Sequence, residues 1–179
     1  MAVMVTMLTR ADLDALPDDN RRHELIDGQL IMTPAPGTNH QTVADALTSL
    51  LRSEVRGTEL KAVSAPFDVV LGDHVVEPDV VVARRQDLTG QDLPAAPVLV
   101  IEVLSPSTRQ VGLGRKRDLY AEAGVPHYWI VDPEEPAFTI YELTDHGGYT
   151  EVAHATGDQP LTVTHPIPLT LTPADLLDD

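Results

Sequence analysis

Residues 98–104 read VLVIEVL, an apolar run broken only by Glu102. A short apolar run without alternation is the pattern of a strand buried on both faces. A carboxylate inside such a strand is costly to desolvate, so it is paired, bound to a cation or protonated. A second run, VVEPDVVVA at 75–83, sets Glu77 and Asp79 among valines. Two buried strands that each carry an acid imply a place where carboxylates converge, and hard divalent cations are the natural occupants of such a place. The plainer alternative is a strand end emerging into solvent, with Glu102 merely preceding the turn residues Ser105-Pro106-Ser107.

Outward from these strands, the pattern predicts a short capped helix over 9–16, stopped by Pro17, and a hairpin over 23–32 turned by Asp27-Gly28. Val43, Ala46, Leu47, Leu50, Leu51 and Val55 recur at helical spacing and predict a helix from Thr38 or Asn39 to near Gly57. Strands follow at 60–64, 67–71 and 75–83, then a polar loop and the 98–104 strand. A second amphipathic helix is expected over 108–123, with Gly124 as its C-cap. HYWIVD at 127–132 reads as a buried strand, AFTIYEL at 137–143 as a half-exposed one, 148–163 as a further hairpin and 173–177 as a terminal helical turn. This order describes an α/β domain with a mixed central sheet. The length suits a single domain over 1–179, with a core spanning about 20–165.

Composition narrows the chemistry. There is no cysteine, which excludes disulfides, thiolate zinc sites and cysteine nucleophiles. No basic leader precedes an apolar stretch at the N-terminus and no run of about 18 apolar residues occurs, so a cytoplasmic protein without membrane spans is expected. Twenty-eight acids against 12 bases give a net charge of −16, the opposite of a nonspecific nucleic-acid footprint. The bases are nonetheless clustered, with Arg109, Arg115, Lys116 and Arg117 just after the Glu102 strand. Arg109, Arg115 and Arg117 are therefore the candidate contacts to phosphates.

Several motifs fail. Gly112-Leu113-Gly114 opens a helix, but Arg117 stands where a dinucleotide fingerprint needs its third glycine. The seven histidines show no short metal-ligand spacing, and His40 alone stays of interest. What survives is Glu24 on the first hairpin, Asp79, Glu102, and Lys116 on the following helix. Acids and a lysine around one point are the inventory for hydrolysing a phosphodiester. Carboxylates hold Mg²⁺ (or Mn²⁺), which stabilises charge on phosphoryl oxygens, and the lysine orients water or neutralises the transition state. Against this, a lysine in a basic helix is ordinarily solvated. Tyr120 shares its helix face and could support it or simply pack. Trp129 and Asp132 are expected as core and strand-end residues.

The stretches HELIDGQL, EPDVVV, VIEVLSPST and a lysine before LYAEAGVPHYWIVDP, in that order from His23 to Pro133, resemble the Uma-type restriction endonuclease family of the PD-(D/E)XK superfamily. The resemblance implies a restriction-endonuclease-like fold, a mixed β-sheet flanked by helices, often assembled as a homodimer. It implies a Mg²⁺-dependent DNA endonuclease whose acids map onto Glu24, Asp79 and Glu102 as catalytic and metal-binding residues. The superfamily's lysine position, two residues after Glu102, holds Leu104, and the family takes the lysine from the next helix, where Lys116 lies. Relatives often carry an acid near Gly112. The alternative is a nuclease-fold protein without activity that serves as a binding or regulatory module, and a response to divalent metal separates the two.

Overall fold

The computed structural model describes residues 7–17, 21–105 and 112–177. After a short helix α1 (Arg10–Asp14), strands β1 (Arg22–Ile26) and β2 (Gln29–Thr33) form the first hairpin. Its two-residue turn needs both central residues at positive φ, which Asp27 (53°) and Gly28 (67°) supply. Helix α2 (Thr38–Glu54) leads to β3 (Leu60–Ser64), β4 (Asp68–Leu71), β5 (His74–Val76), β6 (Val80–Arg84), β7 (Asp92–Leu93) and β8 (Leu99–Val103). A π-helical turn (Gly112–Lys116) runs into α3 (Arg117–Glu122). Strands β9 (His127–Asp132), β10 (Ala137–Leu143), β11 (Tyr149–Thr156), β12 (Leu161–Val163) and β13 (Leu169–Leu171) follow, and a 3₁₀ turn (Ala174–Leu177) ends the described chain.

The expected central sheet is the six-stranded one, in the order β11-β10-β9-β8-β6-β3. It is mixed because β8 and β9, joined by the helical crossover, run parallel while the other pairs are antiparallel. A second sheet, β2-β1-β5-β4-β7, was not foreseen. It exists because the apolar run 75–83, read as one strand, is two. Pro78 has no N–H to donate to a ladder, and the chain leaves one sheet at Val76 and enters the other at Val80. The expected hairpin over 148–163 is also corrected. β11 pairs back along β10, and β12 pairs with β13 in a separate two-stranded sheet. The turn between β10 and β11 is made by Gly147-Gly148, both at positive φ.

The six-stranded sheet is covered on both sides. Val43, Leu47 and Leu51 of α2 pack on Val80, Val82, Leu99, Ile101, Trp129 and Phe138, with Leu161, Leu171 and Leu176 closing the same cluster. Each such aliphatic side chain contributes roughly 1.5–3 kcal/mol by leaving water. The opposite face, Val81, Val100, Tyr128 and Ile130, meets Leu119 and Tyr120 of α3 and Ile26, Val69, Val76 and Leu93 of the second sheet. Strands buried on both faces explain the near-continuous apolar runs in β6, β8 and β9. Among the described residues, no helix is long and apolar enough to cross a membrane.

Candidate active site

Strand period places the two central acids. In β6 and β8 the residues Val81, Ala83 and Val100 face α3 and the second sheet, and Asp79 and Glu102 share their parity. Val80 pairs with Ile101, so one step further along the same register sets Asp79 beside Glu102. The backbone closes that step through the Asp79 carboxylate, whose Oδ2 accepts from Val103 N at 2.8 Å. β1 of the other sheet brings Glu24 to the same place. Its Oε1 accepts from Glu77 N at 2.8 Å, satisfying the amide at the point where β5 ends and Pro78 follows.

Lys116 comes from the π-helical turn that precedes α3, and its ammonium sits 2.8 Å from Glu24 Oε1 and 3.0 Å from Glu102 Oε1. Glu24, Asp79, Glu102 and Lys116 are only 2–5% exposed, so the solvated reading of this lysine does not describe it. Tyr120, one helical turn on, donates its hydroxyl to Glu102 Oε1 at 2.7 Å. Of the two readings of Tyr120, support and packing, the structure contains both. Two further residues complete the cluster. Arg22 donates Nη1 to Asp79 Oδ1 at 2.9 Å and holds Nε 3.3 Å from Glu77 Oε1. His40 of α2 places Nε2 3.3 Å from Asp79 Oδ2, while its buried Nδ1 has no hydrogen-bond partner among the described residues. Arg22 was missed in the sequence, although it stands two residues before Glu24 on a strand and hence on the same face.

The electrostatics follow from burial and charge together. Burial works against ionisation of Asp79, but the hydrogen bond from His40 and the charge of Arg22 outweigh it and hold the carboxyl down at about 2. Burial raises Glu102, and Lys116 only partly offsets that, so its carboxyl lies above the usual range. Glu77 is pushed up to about 7, chiefly by burial, with Arg22 pulling the other way and Glu24 adding repulsion. Burial disfavours the Lys116 charge, but Glu102 and Glu24 outweigh it and the ammonium is held more firmly protonated than an ordinary lysine. Lys116 is therefore a cation and a donor in this site, not a base.

Arg22, Glu24, His40, Asp79, Glu102 and Lys116 line a cavity of about 480 Å³ whose rim is Pro34-Ala35-Pro36 and Met32. A second cavity of about 520 Å³ on the other side of that loop shares Arg22, His40 and Asp79. Among the described residues, no three His, Asp or Glu side chains are disposed as a ready ligand set for a metal ion. The donor chemistry nevertheless suits a hard cation. Four acids, Glu24, Glu77, Asp79 and Glu102, gather around the two cations Arg22 and Lys116. Such an excess of carboxylate oxygens is the donor set that a divalent cation prefers.

The basic cluster is placed differently from the acids. Arg115 forms a two-pronged pair with Asp27 at 2.6 and 2.7 Å and also reaches Glu122, tying the start of α3 to the β1–β2 turn. Arg117 lies over the Tyr141 ring, 4.6 Å from its centroid, and donates to Tyr149 O. Arg109 lies outside the described residues. Trp129 is core, and Asp132 ends β9 by accepting from Glu134 N.

A mixed sheet that sets an aspartate and a glutamate side by side at the ends of two central strands, with a helix-borne lysine between acids, is a restriction-endonuclease-like architecture. The chain belongs to the Uma2 family, described as "Putative restriction endonuclease", which it matches over residues 10–176. It is 27% identical over 142 residues to an uncharacterized protein, slr1290, of Synechocystis sp., covering 77% of this chain and 75% of that one. In fold it is similar to the crystal structure of "a putative nuclease belonging to DUF820" from Anabaena variabilis ATCC 29413. The TM-score is 0.74 at 23% identity, over 96% of this chain and 98% of the other.

Proposed function

We propose that the chain is a divalent-cation-dependent endonuclease that hydrolyses phosphodiester bonds in DNA, with Asp79, Glu102 and Lys116 as catalytic residues. The observation that carries this reading is the buried ammonium of Lys116 within hydrogen-bond distance of Glu102, itself register-adjacent to Asp79, at the bottom of one cavity. Asp79 and Glu102 are the residues that would hold Mg²⁺ or Mn²⁺. The bound ion would stabilise charge on the phosphoryl oxygens and favour ionisation of water.

Lys116 supplies a fixed positive charge toward the phosphate as negative charge develops in the transition state. Tyr120 keeps one oxygen of Glu102 occupied, which leaves its carboxylate oriented. Glu24 serves the site by positioning Lys116 and the Glu77 amide, and as a further oxygen donor within reach of the same charge. Of the basic residues, Arg109 keeps a proposed role in phosphate contact, whereas Arg115 and Arg117 would have to give up intramolecular partners to take one. Assembly as a homodimer belongs to the same proposal and is read directly by mass photometry.

A second reading, a nuclease-fold module without activity, is favoured by one feature. Arg22, Lys116 and His40 already bridge the carboxylates. Incubation of supercoiled and linear DNA with the protein in Mg²⁺ or Mn²⁺ separates the two. The nuclease reading expects nicking that is lost in Asp79→Asn and Lys116→Met, and wild-type protein inert on varied DNA would sink it.

A further inference from the structure

Pro78 leaves the bend between β5 and β6 without a ladder donor, and side chains of β1 take over the hold on it. β1 meets β5 at one register pair, Leu25 with Val75. Beyond Val76 its grip passes to Glu24 and Arg22, two residues apart and hence on one face. Glu24 Oε1 accepts from Glu77 N. Arg22 spans the bend, with Nε 3.3 Å from Glu77 Oε1 and Nη1 donating to Asp79 Oδ1 at 2.9 Å. The Asp79 main chain is anchored elsewhere, its carbonyl accepting from Ala65 N at 3.0 Å. Its carboxylate is held at both oxygens. Oδ2 accepts from Val103 N and lies near His40 Nε2, whereas Oδ1 has only Arg22 among the described residues. With one oxygen pinned, the carboxylate still swings about its Cβ–Cγ bond. The guanidinium removes that freedom, and a planar fork on two acids does so better than a point charge.

We propose that Arg22 is a positioning residue of the hydrolytic site, which sets the plane of the Asp79 carboxylate across the Pro78 bend. The inference rests on the nuclease reading above and adds to it a residue that touches neither substrate nor reacting atoms. Its effect therefore falls on the chemical step and not on the hold on DNA.

Two measurements on the full chain test it. In EDTA, urea unfolding of Arg22→Ala, Asp79→Asn and the double variant should give losses that do not add, because the two side chains act as one unit. In Mn²⁺, with supercoiled plasmid as substrate, Arg22→Ala should lose about 10–100-fold in kcat at unchanged KM. Millimolar guanidinium chloride, filling the space the side chain leaves, should restore part of that loss, and sodium chloride at equal ionic strength should not. Arg22→Lys, which reaches one acid at a time, should fall between wild type and Arg22→Ala. Additive unfolding losses, an unchanged kcat in Arg22→Ala, or a loss carried by KM would each overturn the inference and leave the nuclease reading standing. A kcat loss that neither guanidinium nor lysine relieves would overturn it too, since that marks a general structural defect. Should Arg22→Ala fail to fold by circular dichroism, Arg22→Lys decides: a lowered kcat at unchanged KM supports the inference, and a wild-type kcat or a raised KM overturns it. Wild-type protein inert on the plasmid would remove the nuclease reading and this inference with it.

Discussion

Replacing Lys116 by methionine keeps an unbranched side chain one atom shorter and removes its charge. In the folded protein this leaves Glu24 and Glu102 facing each other in a site where both are nearly inaccessible to water. Breaking a buried ion pair by deleting one partner costs about 3–5 kcal/mol, because the other charge stays buried and unpaired. For a chain of this size that corresponds to a fall in Tm of roughly 6–20 °C. The protein has an escape. The Glu102 carboxyl already lies above its usual range, and without Lys116 it rises further. A carboxyl raised in the folded state destabilises above its unfolded pKa and is relieved as pH falls, so the deficit should shrink from pH 7.5 to pH 5.5.

Urea unfolding followed by the fluorescence of Trp129, the chain's single tryptophan and fully buried, reads this directly. Adding Glu102→Gln to Lys116→Met should recover at least about 2 kcal/mol, since a neutral amide replaces the stranded charge. A loss below about 1 kcal/mol at pH 7.5, or a deficit that does not change with pH, would refute the ion-pair account. Cleavage by the variant must be assayed well below its lowered Tm, so that lost activity reports the missing charge and not lost fold.

Three further outcomes follow from the same cluster. Saturating Mn²⁺, at about 100 times its Kd, should stabilise wild type by about 2.7 kcal/mol and raise Tm by roughly 5–11 °C, and Asp79→Asn should blunt the rise in a thermal shift assay. Without metal, Glu77 (raised from 4.5 to about 7) makes stability fall as pH rises from about 4.5 to 7. Tm should therefore be higher at pH 5.5 than at pH 8 by roughly 2–8 °C after screening, and Glu77→Gln should flatten that slope. Asp79 contributes the other way, its stabilisation being lost only as pH drops below about 3.8 toward 2. Tyr120→Phe, which removes a 2.7 Å hydrogen bond to Glu102 without creating a cavity, should cost about 1–2 kcal/mol in urea unfolding, and a loss near zero would mean that the hydroxyl does not support the acid.

The fold was legible where local chemistry and tertiary context agreed. Asp27-Gly28 specified its turn, the spacing of Val43, Leu47 and Leu51 specified α2, and the unalternating run at 99–103 specified a strand with both faces covered. It was illegible where one run of valines had to serve two sheets. Periodicity sees Val75, Val76 and Val80–Val82 alike, and only Pro78 marks the break. Its missing donor permits a bend without dictating the sheet that receives each half. The C-terminal strands were misassigned for the complementary reason: β11 alternates weakly and finds its partner by continuing the β10 meander, a contact that composition alone does not encode.

For the site, the acids were readable because a charge in an apolar strand is an anomaly that demands an explanation, and Asp79 and Glu102 share both parity and register. The cations were harder because their ordinary place is the surface. Arg115 and Arg117 looked alike with Lys116 in the sequence, within three residues, yet only Lys116 turns inward. The difference is geometric. The five residues Gly112–Lys116 form a π-helical turn, wider than an α-turn, and the step into α3 at Arg117 resets the phase of the helix face. The spacing of four between Lys116 and Tyr120 still holds across that step, and both side chains reach Glu102 Oε1. A lysine fourteen residues beyond Glu102 thus arrives at its carboxylate, with Leu104 left free to pack in the core. Because Lys116 closes that turn, deleting one of its residues turns the side chain about a quarter-turn off the acids and should withdraw it from the site as surely as mutating it.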